Sequence, residues 1–232
     1  MEGGGEERWL PLESNPEVLS SFLRRLGVPA AWTVQDVLSV DPELLVMVPR
    51  PALGLMLLFP ITPAYRALQE AAPAPTSALP AELYYMKQTV SNACGTVALL
   101  HCVANAVMTG RVELEAGSPL AAFLAATAGL SPEERAVKLE TDAEIVRVHD
   151  EAAREGQTAA PGLGEEVEHH YVALVEVGGV LWELDGRRQG PVAAGVCGEG
   201  ELVERAAAVC REYMARDPDT IAFTVLALAA SD

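Results

Sequence analysis

Apolar residues recur along the chain at two different periods. In "ESNPEVLSSFLRRLGV", Leu19, Phe22, Leu23 and Leu26 fall at helical spacing. Asn15 can cap that helix, Pro16 occupies its first position and Gly27 can end it. "TVQDVL" and "DPELLVMV" predict two short helical turns. "LGLMLLFPI" is a continuous apolar run closed by Pro60 and predicts a buried strand. "TPAYRALQEA" predicts a further helix, and the Ala- and Pro-rich stretch 73–81 an exposed connection. A long apolar helix is expected from Cys94 to about Met108. "SPLAAFLAAT" and "SPEERAV" each begin with Ser then Pro, a helix-start signal, and "DAEIVRVHDEAA" also reads as helix. The segment 154–166, rich in Gly and charge, predicts a mobile loop. "HYVALVEVGGVLWELDG" predicts a β-hairpin turning at Gly178–Gly179. An amphipathic helix over 201–215 and a closing strand "TIAFTVLALA" complete the pattern. Helices precede and follow a hydrophobic sheet, which makes the class α/β or α+β in one domain spanning 1–232.

Composition narrows the use of such a fold. Half of the 232 residues are apolar, enough for a substantial core. The formal charge of −17 argues against nucleic acid or an anionic membrane as the main partner and favours a partner with a basic face. The run at 52–59 is too short to span a bilayer. "MEGGGEERWLPLESN" lacks a positive start followed by an apolar stretch, and four cysteines in 232 residues do not suggest a disulfide framework. A cytoplasmic, reducing location is therefore expected, with Cys102, Cys197 and Cys210 unpaired.

The candidate chemistry centres on "MKQTVSNACGT". Ser91 or Asn92 can cap the helix that follows, placing Cys94 in its first turn. A helix N-terminus carries unpaired N–H groups and a partial positive charge, which favour thiolate over thiol. The plain alternative is a small buried cysteine. A thiol enzyme also needs a base and a group to orient it. His101 lies about 10 Å along the same helix and cannot reach the sulfur, so a core histidine is the expectation there. His149 lies beside the loop. His169 and His170 open a strand and point to opposite faces, so one can face a groove while the other does not. Asp185 closes the neighbouring strand, where it could accept a hydrogen bond from that base or simply begin a turn before Gly186. Gln88, six residues before Cys94, could donate to an oxyanion, or be an exposed glutamine with no role. The chain has no CxxC or HExxH zinc pattern and no glycine-rich phosphate loop, so no metal and no cofactor is expected.

"YYMKQTVSNACGTVALLH" resembles the active-site segment of the ubiquitin carboxyl-terminal hydrolases, and "HHYVALVEVGGVLWELDGR" resembles that family's histidine–aspartate segment. "RWLPLESNPEVL", "DPELLVMVPRP", "LLFPIT" and "VCREYMARDPD" extend the likeness over nearly the whole chain. The "EGQTAAP" loop and the "RWLPLE" start look most similar to the L-three isozyme type. The resemblance implies a papain-like cysteine hydrolase core: an α-β-α sandwich with an antiparallel-rich sheet and a knotted backbone. It implies Cys94 as nucleophile, His170 as general base, Asp185 as the residue orienting it and Gln88 as oxyanion-hole donor, with His169 a bystander. It also implies a crossover loop at about 148–167, and Trp9, Leu10, Pro11 and Tyr213 as exposed ubiquitin contacts. Residues 1–7 are expected to be disordered. After "LDGR" the family usually continues Pro-Phe-Pro and then Asn-His-Gly; here the chain reads "RQGPVAAG", which bears on loop packing and substrate preference.

The expected function is removal of small adducts or unfolded peptides from the C-terminal glycine of ubiquitin through a thioester on Cys94. The related neddylation modifier is a second expected substrate by family analogy, and the protein is expected to be a monomer. The competing class is a binding module that sequesters free ubiquitin with low turnover. An ordinary papain-type peptidase is a further alternative, weakened by the absence of "CGSCW".

Overall fold

The computed structural model describes residues 9–71, 79–156 and 168–231. Helix α1 (Pro16–Arg25) begins where the sequence places it. Asn15 Oδ1 accepts from the Glu17 N–H at 2.9 Å and the Val18 N–H at 3.4 Å, satisfying two donors that the helix cannot pair. Strand β1 (Trp32–Asp36) follows, then a short 3₁₀ turn at Leu45–Met47, strand β2 (Ala52–Pro60) and helix α2 (Pro63–Ala71). Helix α3 runs Cys94–Met108; α4 (Pro119–Thr127), α5 (Pro132–Glu140) and α6 (Ala143–Ala153) come next. Ser118, Ser131 and Asp142 cap these last three, Ser131 in a reciprocal box with Glu134. Strands β3 (His169–Val177), β4 (Val180–Leu184) and β5 (Val192–Val196), helix α7 (Leu202–Arg216) and strand β6 (Thr224–Ala230) complete the described chain.

The six strands form one sheet in the order β1-β6-β2-β3-β4-β5, every pair antiparallel. Alternation along β3 divides the core in two. Tyr171, Ala173, Val175 and Val177 face a core shared with α1, α3 and α6, whereas Val172 and Leu174 face the core beneath α7. The result is an α-β-α sandwich. Helix α3 is its axis: every residue from Cys94 to Ala106 is buried, and the helix packs across β3 and β2. Gly178 and Gly179 both hold positive φ, +64° and +76°, which the tight β3–β4 turn requires and other residues resist.

Two expectations are corrected and one strand is added. "TVQDVL" supplies most of strand β1 rather than a helical turn. Its Thr33 and Val34 pair with Ala229 and Leu228 of β6, and Ser20 of α1 accepts the Val34 N–H at 2.9 Å. Neither Ser91 nor Asn92 caps α3: the N-cap is Ala93, with no side-chain cap bond. Asn92 instead holds φ +67° and donates its side-chain N–H to the Trp9 carbonyl at 3.1 Å. Strand β5 was not foreseen, because four of its five residues are exposed and leave no hydrophobic signature. Of the expected crossover loop, 148–153 is the last part of α6, and 157–167 lie outside the described residues, as do 1–7.

Candidate active site

Cys94 is the first residue of α3 and is buried, 7% exposed. His170 is the second residue of β3, opposite Phe59 of β2, and is fully buried. Asp185 follows β4 directly and is fully buried too. The β3–β4 hairpin register therefore sets histidine and aspartate side by side: His170 Nε2 donates to Asp185 Oδ1 at 2.7 Å. Nε2 is committed to the carboxylate. Nδ1 has no regular hydrogen-bond partner and is left to interact with the Cys94 thiol.

The electrostatics follow from this arrangement. Burial pushes the Cys94 thiol up. The neighbouring His170 ring, through close polar contact and its charge, together with the Tyr171 backbone N–H and the Arg187 charge, outweighs burial and holds it below its ordinary 9.0. Burial likewise disfavours imidazolium. The Asp185 charge, its hydrogen bond and the Cys94 sulfur reverse that and raise His170 above 6.5. Burial would raise Asp185, yet the His170 charge and hydrogen bond, the Arg187 N–H at 2.9 Å and the Tyr65 hydroxyl hold it at about 2. Thiol low, imidazole high and carboxyl low together favour a thiolate–imidazolium pair beside a carboxylate.

Gln88 reaches this site through its backbone. Its N–H donates to the Gly186 carbonyl at 2.9 Å, which ties the segment before α3 to the turn after Asp185. One side-chain N–H goes to the Val90 carbonyl at 3.2 Å, and an amide carries a second. Gly186 makes the approach possible: a Cβ there would stand 2.8 Å from Gln88 Cβ and 3.1 Å from Gln88 N. Tyr85 braces the same turn, its hydroxyl 2.8 Å from both the Asp185 and Arg188 carbonyls.

The remaining histidines are structural. His101 accepts the Met86 N–H at 3.1 Å and stacks on Tyr85. His149 bonds Thr96 Oγ1 at 2.7 Å and the Leu10 carbonyl at 2.8 Å. Burial lowers both to about 4, so both are neutral at pH 7. His169 is half-buried beside Pro60. Two of the expected ubiquitin contacts are not exposed. Trp9 is 5% exposed and packs on His149 with ring centroids 4.4 Å apart. Tyr213 is also 5% exposed; its hydroxyl bonds Glu183 and accepts from Arg188 at 3.1 Å. Leu10 and Pro11 are half-buried. All four cysteines are free and buried, and burial raises Cys102 and Cys210 to about 12. Sequence reasoning missed Tyr65 and Tyr85, which stand 120 and 100 residues from Asp185, and Arg188, which lies close to Glu183 and Asp185 in the chain but carries no recognisable motif.

Among the described residues, no group of three or more His, Cys, Asp or Glu is placed to hold a metal ion. A buried cysteine at a helix start, with a histidine and an aspartate brought together by adjoining strands, is the arrangement of a thiol hydrolase of the Cys–His–Asp kind. The family model "Ubiquitin carboxyl-terminal hydrolase, family 1" matches residues 9–215, and the chain belongs to that family of cysteine peptidases. A ubiquitin carboxyl-terminal hydrolase of Drosophila melanogaster is 46% identical over 227 residues, covering 96% of this chain and 98% of the relative. One of Aplysia californica is 45% identical over 214 residues, covering 92% and 98%. The solved catalytic domain of Trichinella spiralis UCH37, bound to ubiquitin vinyl methyl ester, shares the fold with a TM-score of 0.77 at 22% identity, over 98% of this chain and 97% of that one.

Proposed function

We propose that the protein hydrolyses bonds at the C-terminal glycine of ubiquitin, through a thioester on Cys94. The observation that carries this is the pairing of Cys94 with a His170 whose other nitrogen is fixed 2.7 Å from Asp185. Family membership supports ubiquitin as substrate, and the UCH37 neighbour is itself bound to a ubiquitin derivative. The tail carbonyl is attacked by the Cys94 thiolate. Developing oxyanion charge meets the Cys94 backbone N–H, one of the donors at the start of α3, and the second Gln88 N–H. Imidazolium at His170 protonates the leaving amine or thiol. His170 then deprotonates the water that releases ubiquitin. Asp185 keeps Nε2 protonated, so that Nδ1 alone exchanges the proton.

The finer readings rest on chemistry and family likeness. A −17 chain suits a basic partner surface, which makes association salt-sensitive. Small or unfolded leaving groups are the preferred adducts, and the neddylation modifier is a second substrate. Leu10 and Pro11 remain the proposed ubiquitin contacts on the N-terminal segment. The protein acts as a monomer in the cytoplasm, apart from nucleic acid and membrane; no described helix is long and apolar enough to cross a bilayer.

The test is turnover of ubiquitin bearing a C-terminal fluorogenic amide, with Cys94→Ala alongside. Fast release by the native chain and none by the variant is expected. No release by either, with tight ubiquitin binding by both, replaces the hydrolase with a sequestering module.

A further inference from the structure

Helix α2 turns an aromatic side chain into the body. Pro63, Ala64, Arg66 and Ala67 are exposed, whereas Tyr65 between them is 5% exposed. Its ring packs on Phe59 with centroids 4.8 Å apart and lies 5.7 Å from the His170 ring. Its hydroxyl donates to Asp185 Oδ2 at 2.7 Å. On the other side of that oxygen stands Arg188, 5% exposed, which binds Glu183 at 2.8 Å. Arg188 Nε is buried without a hydrogen-bond partner and stands 3.6 Å from Asp185 Oδ2, an ion pair too long to be a hydrogen bond. One carboxylate oxygen thus meets two groups: a neutral phenol that hydrogen-bonds it and a cation that pairs with it at longer range.

Resting on the reading of Cys94, His170 and Asp185 as the hydrolytic site, we infer that Tyr65 is a positioning residue. Its hydroxyl locks Asp185 Oδ2, presents Oδ1 to His170 and keeps the Arg188 ion pair from closing to a direct hydrogen bond on the carboxylate. A phenol suits this task. Burial and the Asp185 charge hold Tyr65 far above its ordinary 10, so it stays a neutral donor at every working pH. Without that hydroxyl the nearest donor to Oδ2 is the guanidinium. Closing that ion pair to a direct hydrogen bond would draw more of the carboxylate's field away from His170, and the His170 pKa would fall.

The groups that face the pair are few. Cys94 and His101 come from α3, Tyr85 from the segment before it, and Arg187 and Arg188 from the turn after β4. Glu183 of β4 and Tyr213 of α7 close the far side, paired with Arg188 and with each other. Tyr65→Phe changes none of them and keeps the ring against Phe59.

Two measurements test this, with folding of the variant checked by far-UV circular dichroism and melting. The first needs no ubiquitin: the rate of Cys94 alkylation by iodoacetamide against pH, read by mass at the Cys94 peptide. Tyr65→Phe is expected to move the acid limb of that profile up by about half a pH unit or more, since a less protonated His170 stabilises the thiolate less. The second is turnover of the ubiquitin amide, where kcat is expected to fall roughly tenfold with KM unchanged and the alkaline limb to move down. A folded Tyr65→Phe chain with wild-type limbs overturns the inference, even if kcat falls, because a merely structural role would lower the rate without moving them. A native chain whose Cys94 shows no depressed thiol pKa overturns the site reading itself, and this inference with it.

Discussion

Asp185→Asn keeps the shape of the carboxyl group and removes its charge. Asp185 is the leading group raising His170, against burial that lowers it. The variant's imidazole therefore loses its proton at lower pH, the Cys94 thiolate loses its cation, and the thiol rises toward the value burial dictates. Cys94 alkylation at pH 7 is expected to slow by about tenfold or more, with hydrolysis falling at least as far. An unchanged alkylation rate would detach Asp185 from the thiol. Gly186→Ala tests the approach rather than the charge. Its Cβ would meet Gln88 Cβ at 2.8 Å, a distance that forces one segment to move. The turnover rate should drop by roughly tenfold or more while Cys94 alkylation changes little, since a displacement of the oxyanion donor is felt only with a substrate carbonyl present. Equal losses in both assays would place the damage at His170 instead.

At the scale of elements, the caps and the hairpin carry the weight. Asn15 accepts two orphan N–H groups at the start of α1, and that helix packs on β1 and α6. Asn15→Ala should cost about 1 kcal/mol, seen as a lower urea midpoint with an unchanged slope. A midpoint within error of the native chain would mean that water replaces the cap without loss. Helix α3 is built differently: it starts at Ala93 with no side-chain cap, and the free N–H groups of its first turn are left around the sulfur. A Ser or Asp side chain folded back over that terminus would occupy the donors that an incoming oxyanion needs. The β3–β4 hairpin, through its two-glycine turn, fixes the register that sets His170 beside Asp185.

For the whole molecule, stability should depend on pH through its buried histidines. His101 and His149 titrate near 4 when folded and near 6.5 when unfolded. The unfolded chain takes up these protons first, so the stability they contribute is complete above pH 6.5 and is lost as pH falls to about 4. Each accounts for roughly 3 kcal/mol over that window. His170 has the opposite sign: raised in the fold, it stabilises below its unfolded value and that contribution is lost as pH rises through its folded one. Asp185, depressed to about 2 from 3.8, adds its own loss only below about pH 4. The urea midpoint is therefore expected to fall steeply between pH 6.5 and 4.5, ahead of carboxylate titration. A flat midpoint over that range would contradict the neutral, buried state of both rings.

The elements most legible in the sequence are those whose signals are local. Asn15-Pro16, Ser118-Pro119 and Ser131-Pro132 announce helix starts, Gly178-Gly179 a turn, and the unbroken apolar runs of β2 and α3 a buried strand and helix. Strand β1 was misread because its conformation is decided by pairing with β6, nearly two hundred residues away. Strand β5 was missed because burial, the source of the periodic signal, is absent there. The site divides in the same way. Cys94 stood out locally, as a cysteine at a helix start, whereas the roles of Gln88 and Asp185 and the choice of His170 over His169 followed from family likeness, with strand alternation merely permitting that choice. Nothing local shows that Trp9 and Tyr213 are buried, that Tyr65 bonds Asp185, or that Arg188 waits beside it. The sequence by itself determined the periodicities, the caps and the reactive residue types, since those depend on neighbours along the chain. Only the tertiary structure decided the proton affinities of Cys94, His170 and Asp185, because those depend on burial and on charges that folding brings within a few ångströms.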